Sequence, residues 1–254
     1  MTGETPGYEP EPVVRTAPPI NVPRVGALKR LALAFTSPNE VFADILRRPT
    51  WVLCLVVLVA IGVGSQLIVQ PHLDLEATIR ARMAESGREI SDEQMDRITA
   101  QSKKFALIGP LSALIAAPLV MFIFGGLYFL GLKIAGSEVT FPPVFSGVLH
   151  ALWPPGVTKA ALSVVLIQRV GKVPAQELEH LVKSNVGAFL SADAPRWLAS
   201  LGTTLDVFNL WTIALLVIGL STIGRVSRSR SLAVVGTLWV LYLIVKVGWA
   251  LARS

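Results

Sequence analysis

Two charged residues stand in otherwise apolar stretches of this chain, and they are the strongest candidates for chemistry. Lys159 follows two adjacent prolines inside one hydrophobic stretch, and Asp206 stands at the mouth of the next. A charge at membrane depth costs several kcal/mol unless it is paired or reaches the interface. We therefore predict that Lys159 and Asp206 approach each other, directly or through water. The alternative is that Lys159 extends to the interface and Asp206 only caps its helix.

The two prolines, Pro154 and Pro155, are a second candidate feature. Proline has no N–H group, so the pair should leave two backbone carbonyls of a helix without their usual partners. We therefore predict a helix break at Pro154 and Pro155. Broken helices line substrate sites in transporters, so a break beside Lys159 is also compatible with a transport pathway.

No other pattern in the sequence is typical of catalysis, cofactor binding or metal binding. The three histidines, His72, His150 and His180, are scattered without the spacing of metal ligands. The sequence has no phosphate-binding Gly-Lys-Ser/Thr loop, no His-Glu-x-x-His helix and no Gly-x-Ser-x-Gly elbow. We predict no catalytic residue, no cofactor and no metal, and hence a protein that is not an enzyme.

The composition favours a lipid environment, because 52% of the residues are hydrophobic and only 16% are charged. Soluble domains carry about 25% charged residues. We predict an all-α polytopic membrane protein whose membrane domain covers residues 25–254. Five apolar stretches are each long enough to cross a bilayer core of about 30 Å. These five predicted transmembrane helices lie at about 51–69, 107–134, 144–168, 205–223 and 232–251.

The segments outside these stretches predict a disordered tail and amphipathic helices. Residues 1–24 are rich in proline and predict a disordered tail. An amphipathic helix after Ser37, with Glu40 completing a capping box, should lie on the membrane surface before span one. Ser91 and Gln94 form a second capping box in the loop between spans one and two. We expect further amphipathic helices in the loops.

The basic residues predict the orientation of the chain. The net charge of +6 does not indicate nucleic acid, because the lysines and arginines cluster beside apolar stretches. Arg47 and Arg48 precede span one, and Arg225, Arg228 and Arg230 lie between spans four and five. The positive-inside rule therefore places the N-terminus in the cytoplasm and the C-terminus outside. We expect the protein in a bacterial inner (cytoplasmic) membrane.

Three short motifs together resemble one known family. Residues 37–42 (Ser-Pro-Asn-Glu-Val-Phe), followed by Pro49-Thr-Trp51, look like a helix that precedes the first span in the bacterial branch of the Yip-one (Ypt-interacting protein) family. The prolines at 154 and 155 resemble a proline in its third span. Residues 206–211 (Asp-Val-Phe-Asn-Leu-Trp), followed by Gly219, resemble its Asp-x-Phe-x-x-Trp segment. The resemblance extends from about Leu31 to Ala252.

The resemblance implies a five-span membrane protein without known enzymatic activity. Eukaryotic relatives are associated with Rab-type GTPases, but this chain lacks their Asp-Leu-Tyr-Gly-Pro and Gly-Tyr-Gly motifs, which makes a GTPase partner doubtful. We predict a non-enzymatic scaffold or adaptor, with the helix after Ser37 and the loop 72–104 as candidate partner surfaces. Its partners would be the lipid bilayer and other membrane proteins or further copies of this chain. The alternative is a subunit of a small-molecule or ion transporter or channel.

Overall fold

The structure, a computed structural model, is helical throughout the part of the chain that it describes. The described residues are 25–85, 87, 91–105, 108–191 and 194–252. They contain no β-strand, and the expectation of an all-α fold is confirmed for them. The predicted disordered tail, residues 1–24, lies outside the described residues. The α-helices are α1 Ala27–Thr36, α2 Pro38–Arg47, α3 Val52–Val69, α4 Leu75–Glu85, α5 Asp92–Lys104, α6 Ile108–Ile134, α7 Phe141–Val170, α8 Leu178–Leu181, α9 Arg196–Thr204, α10 Val207–Gly224 and α11 Arg228–Leu251.

Four helices among the described residues are long and apolar enough to cross a membrane. They are α3 with the short 3-10 turn after it, α6, α10 and α11. The predicted third span, residues 144–168, falls within α7, which is the longest helix but is not one of the four. Prolines, His150 and Lys159 lower its apolar content. The number of five spans therefore stays a prediction.

Helix α7 forms the centre of the bundle, with α3, α6 and α10 packed along it. Phe145 of α7 is fully buried. Its ring stacks on Phe122 of α6 at a centroid distance of 4.2 Å and meets Trp51 edge-on at 5.4 Å. Such aromatic pairs each contribute about 0.5–1.5 kcal/mol beyond the burial of their area. The cluster joins α3, α6 and α7 at the end of the bundle where α3 and α7 begin, which we call the first end.

The helix break predicted at Pro154 and Pro155 is wrong. Helix α7 is helical without interruption from Phe141 to Val170, and both prolines are buried within it. Each proline removes one N–H group, but its fixed φ of about −65° suits a helix. The neighbouring helices hold α7 on several sides, so the loss of two hydrogen bonds does not end it.

The two short helices before α3 are packed into the bundle, which corrects the expectation of a helix on the membrane surface. Val41, Phe42 and Ile45 of α2 are buried in the hydrophobic core. A Cβ atom built on Gly219 of α10 would lie only 2.8 Å from the Phe42 ring. The apolar face of α2 is therefore covered by α10 and α7 rather than by lipid.

The two predicted capping boxes have different outcomes. At the start of α5, the Gln94 backbone N–H donates to Ser91 Oγ, and the Ser91 N–H donates to Gln94 Oε1, each at 3.3 Å. This box is confirmed. The Ser37 side chain makes no cap, so the box with Glu40 is wrong. Ser37 is the only residue between α1 and α2, and its backbone N–H already donates to Leu33 of α1 at 2.7 Å.

Candidate functional site

Asp206 occupies the junction between α9 and α10, at the second end of the bundle, opposite the first. Its backbone is extended, with φ −119° and ψ 137°, and its Oδ1 accepts a hydrogen bond from the Phe208 N–H at 2.7 Å. This is the geometry of a helix N-cap. The sequence placed Asp206 inside a span beginning at 205, but α9 continues to Thr204 and α10 begins only at Val207. The sharp turn between the two helices leaves Asp206 as the cap.

The structure brings Lys159 and Asp206 together, with 2.9 Å between Lys159 Nζ and Asp206 Oδ2. The Asp206 side chain is completely buried, whereas 42% of the Lys159 side chain is exposed. Eleven residues of α7, or about 16 Å of helix, continue beyond Lys159 to Val170. The two side chains meet although Lys159 lies far from the end of α7, because α10 starts beside Lys159 and not beside the end of α7.

Two further groups complete the surroundings of the Asp206 carboxylate. Ser184 Oγ donates to the same Oδ2 atom at 2.8 Å, and Lys159 Nζ lies 5.9 Å from the centroid of the Phe208 ring. The carboxylate thus accepts from a lysine, a hydroxyl and a backbone N–H group. Hydrogen bonds of this charge-assisted kind stabilise the ionised form of a buried carboxylate.

Ser184 reaches this position through a short backbone pairing that sequence reasoning missed. The Val207 N–H donates to Ser184 O at 3.0 Å, and the Val186 N–H donates to Leu205 O at 3.1 Å. The segment before α10 and the segment around Ser184 therefore run antiparallel, with Asn185 opposite Asp206. The paired residues lie about twenty positions apart, with α9 between them, and show no strand-like alternation, so no sequence pattern indicated the pairing.

Lys246, near the end of α11, makes a second polar contact at the same end of the bundle. Its Nζ donates to Thr203 Oγ1 at 3.0 Å and to Thr204 Oγ1 at 2.9 Å. Both threonines belong to the last turn of α9. The lysine therefore ties α11 to the helix that leads directly into Asp206.

A third polar cluster lies at the first end of the bundle and was also missed. Arg30 of α1 is 3% exposed, and its Nε donates to Asp44 Oδ2 of α2 at 2.6 Å. Its Nη1 also donates to the hydroxyl of Thr50, which precedes α3. Trp153 Nε1 of α7 donates to the Leu31 carbonyl at 2.9 Å. No sequence pattern indicated this cluster, because its residues come from α1, α2, α7 and the segment before α3.

Three cavities of the described structure lie away from the Lys159–Asp206 pair. One of about 500 Å³ opens at the first end, beside Glu138 and Arg225. One of about 720 Å³ runs between α6 and α11, and one of about 440 Å³ lies between α3 and α6. None of these three is lined by Lys159 or Asp206.

The arrangement joins helices through contacts between polar side chains. Among the described residues, no group of three or more His, Cys, Asp or Glu side chains could hold a metal ion. The buried charged groups Asp206 and Arg30 are each engaged by side chains from other helices or loops. What this geometry can do is fix the positions of α1, α2, α7, α9, α10 and α11.

Comparisons with known proteins show what this chain is similar to. A model of the Yip1 domain matches residues 32–250. The chain is 25% identical to Membrane protein YknW of Bacillus subtilis (strain 168) over 198 residues, which cover 76% of this chain and 78% of that protein. No solved structure matches the chain significantly.

Proposed function

This chain belongs to the Yip1 domain family of membrane proteins, as its motifs predicted, and from that premise we propose that it is a non-enzymatic membrane scaffold or adaptor. In this role it holds other membrane proteins, or further copies of itself, at a bacterial inner membrane. We propose five spans, with α7 as the third, a cytoplasmic N-terminus and an external C-terminus. The missing GTPase-associated motifs argue against a GTPase partner.

The observation that carries this proposal is that the buried charged groups contact other segments of the chain. Asp206 accepts from Lys159 and Ser184, and Arg30 donates to Asp44. Each contact joins separate segments of the chain, so these charges stabilise helix positions. Polar residues inside a membrane protein usually mark either such contacts or a substrate path. A substrate path requires groups that are free to exchange partners.

The alternative of a transporter or channel subunit loses its main support. It rested on an interrupted third span beside Lys159, and α7 is continuous there. The three cavities described above also lie away from Lys159. A scaffold needs no path through the bundle, only a stable frame and an accessible surface.

The surface that we propose for partners is the hairpin formed by α4 and α5. Most of the α5 side chains are exposed, and acidic groups (Asp92, Glu93 and Asp96) precede basic ones (Arg97 and Lys104) along it. Arg97 donates to Glu93 at 2.6 Å, and Arg80 lies 3.7 Å from Asp92. These exposed ion pairs contribute little stability, so the charged face is available for recognition. The helix after Ser37 is a weaker candidate than the sequence suggested, because α2 buries its apolar face.

In-membrane crosslinking tests the proposal. A photo-crosslinking amino acid replaces Asp96, on the exposed face of α5, and a matched control replaces Ile115, which is 77% exposed on α6. We expect discrete protein adducts, with a partner or with a second copy, from position 96 and mainly lipid adducts from position 115. If position 96 gives no protein adduct beyond that control, the scaffold proposal fails.

A further inference from the structure

The groove between α6 and α11 is an apolar track that ends at an arginine. It has a volume of about 720 Å³, within the range of about 300–1,000 Å³ typical of ligand sites. Leu127, Leu130 and Ile134 line it on α6, and Leu238 and Leu241 line it on α11. From Arg230 to Leu241 it extends over eleven residues of α11, or about 16 Å.

The two helices are antiparallel neighbours, so the groove has one polar end. Gly131 of α6 allows close approach, since a Cβ atom there would lie 2.6 Å from Val234 Cγ1. The last residues of α6 and the first residues of α11 meet at the first end of the bundle, where Arg230 lines the groove. The opposite part of the groove, around Leu127 and Leu241, lies deeper along both candidate spans.

The charges at the polar end lack acidic neighbours in sequence. Residues 224–232 contain Arg225, Arg228 and Arg230 and no acid. Among the described residues, Arg230 takes part in no ion pair. Both Arg228 and Arg230 lie in the first turn of α11, where the helix dipole is positive and favours an anion over a cation. A phosphate group beside Arg230 would offset both the charge of that side chain and the dipole.

From this combination we propose that the α6–α11 groove is a binding site for an anionic phospholipid. One acyl chain lies along the apolar track, and the headgroup phosphate contacts Arg230 and the N-terminal turn of α11. Basic pockets between membrane helices bind anionic headgroups by the same physical chemistry. The site depends only on the membrane location of the chain and not on the scaffold role.

Native mass spectrometry of the purified full-length protein tests this site. The probes are palmitoyl-oleoyl phosphatidylglycerol and phosphatidylcholine, which share their acyl chains and differ in net charge. We expect the wild-type protein to retain phosphatidylglycerol in preference to phosphatidylcholine. Arg230→Gln should reduce phosphatidylglycerol retention about fivefold, the change that follows from about 1 kcal/mol per basic residue at a membrane surface.

Two matched variants separate this site from general charge attraction. Arg228→Gln removes the same charge from the same turn but does not touch the groove, so retention should stay near the wild-type value. Thr237→Phe fills the exposed middle of the groove without changing any charge, and it should also reduce retention. Circular dichroism of each variant checks that the helices are intact.

Several results would overturn the proposal. Equal retention of the two lipids, or equal losses for Arg228→Gln and Arg230→Gln, would indicate a diffuse basic surface. Unchanged retention in Thr237→Phe would exclude an acyl chain from the groove. Glycerol phosphate without acyl chains should compete poorly, and efficient displacement of the lipid by it would reduce the site to a headgroup contact.

Discussion

At the scale of single residues, the burial of the Asp206 carboxylate decides how its ion pair with Lys159 affects the stability of the protein. The carboxylate is fully buried, and a buried charge is tolerated only while its partners are present. Lys159 is partly exposed, so its side chain is less enclosed than the carboxylate that it contacts. Removing the lysine therefore costs more than removing both charges, because only the first change leaves an uncompensated carboxylate.

We predict that Lys159→Met lowers the free energy of unfolding by about 1–2 kcal/mol, because Asp206 then keeps only Ser184 and a backbone N–H as donors. Adding Asp206→Asn should restore part of this loss. The measurement is a double-mutant cycle from unfolding of the detergent-solubilised protein.

The control for this cycle is Lys29→Met, which removes an exposed lysine of α1 and should change stability by less than about 0.5 kcal/mol. A coupling energy between Lys159 and Asp206 below about 0.5 kcal/mol would show that the two groups act independently.

The sequence indicated some of these residues and not others for a physical reason. Lys159 and Asp206 are charges in apolar surroundings, and that contrast is visible in the sequence alone. Ser184 carries no such contrast, since a serine in a polar loop is ordinary. Arg30 was not indicated either, because the contact with Asp44 that buries it depends on how α1 folds against α2.

At the scale of elements, the contact between α2 and α10 depends on one small residue. Gly219 leaves the space that the Phe42 ring occupies, and α2 contacts α10 along its buried face. Small residues allow such close approach between helices inside membrane proteins. The two positions belong to separate motifs of the sequence, and the structure shows that these motifs meet.

We predict that Gly219→Ala destabilises the protein by about 1–3 kcal/mol, because its methyl group would press on the Phe42 ring and overpack this interface. Phe42→Leu in the same chain should recover part of that stability by removing the ring. Thermal unfolding followed by circular dichroism measures both changes.

Gly62→Ala on α3 is the matched control, since a Cβ atom there meets nothing within 4 Å. It should be neutral or slightly stabilising, because alanine favours a helix over glycine by about 1 kcal/mol. A loss at Gly219 no larger than at Gly62 would contradict the close-packing argument.

The failed prediction of a helix break also belongs at this scale. Local rules count the two hydrogen bonds that Pro154 and Pro155 remove, but they do not count the packing that α7 gains from its neighbours. Tertiary packing of a central helix outweighs the local loss, and no window of sequence contains the residues that supply it.

At the scale of the whole molecule, charge and apolar length predict the number and direction of the spans. Arg47, Lys133 and Arg228 lie at the first end of the bundle, although they are far apart in sequence. The α4–α5 hairpin lies between the end of α3 and the start of α6, at the second end. If the first end faces the cytoplasm, the hairpin is external.

We predict opposite accessibility for Arg228→Cys and Glu93→Cys, both made in a Cys54→Ser background so that each chain has one thiol. In intact spheroplasts, a membrane-impermeant maleimide should label position 93 and should label position 228 only after lysis, because the positive-inside rule keeps the arginine turn in the cytoplasm.

Reporters at the two termini test the role of α7. Five spans place the termini on opposite sides of the membrane, whereas four spans place them on the same side. A reporter that shows both termini in the cytoplasm would mean that α7 does not cross the bilayer.

Much of the fold at this scale was predictable because apolar length is a strong signal. The observed helices α3, α6 and α11 start and end within a few residues of the predicted stretches. The arrangement of the helices was not predictable, because apolar lipid-facing and protein-facing residues look alike in sequence. The central position of α7 and the burial of α2 both depend on which faces meet.

Because α2 packs on α10, a long delay separates the synthesis of α2 from the synthesis of the helix that covers it. Phe42 leaves the ribosome 177 residues before Gly219, the residue against which it packs. At about 5–20 residues per second, translation needs roughly 10–35 s to cover that distance. During this interval the part of the apolar face of α2 that packs on α10 has no permanent partner in its own chain. The nascent protein therefore depends on lipid or on an insertion factor to shield that face until α10 arrives.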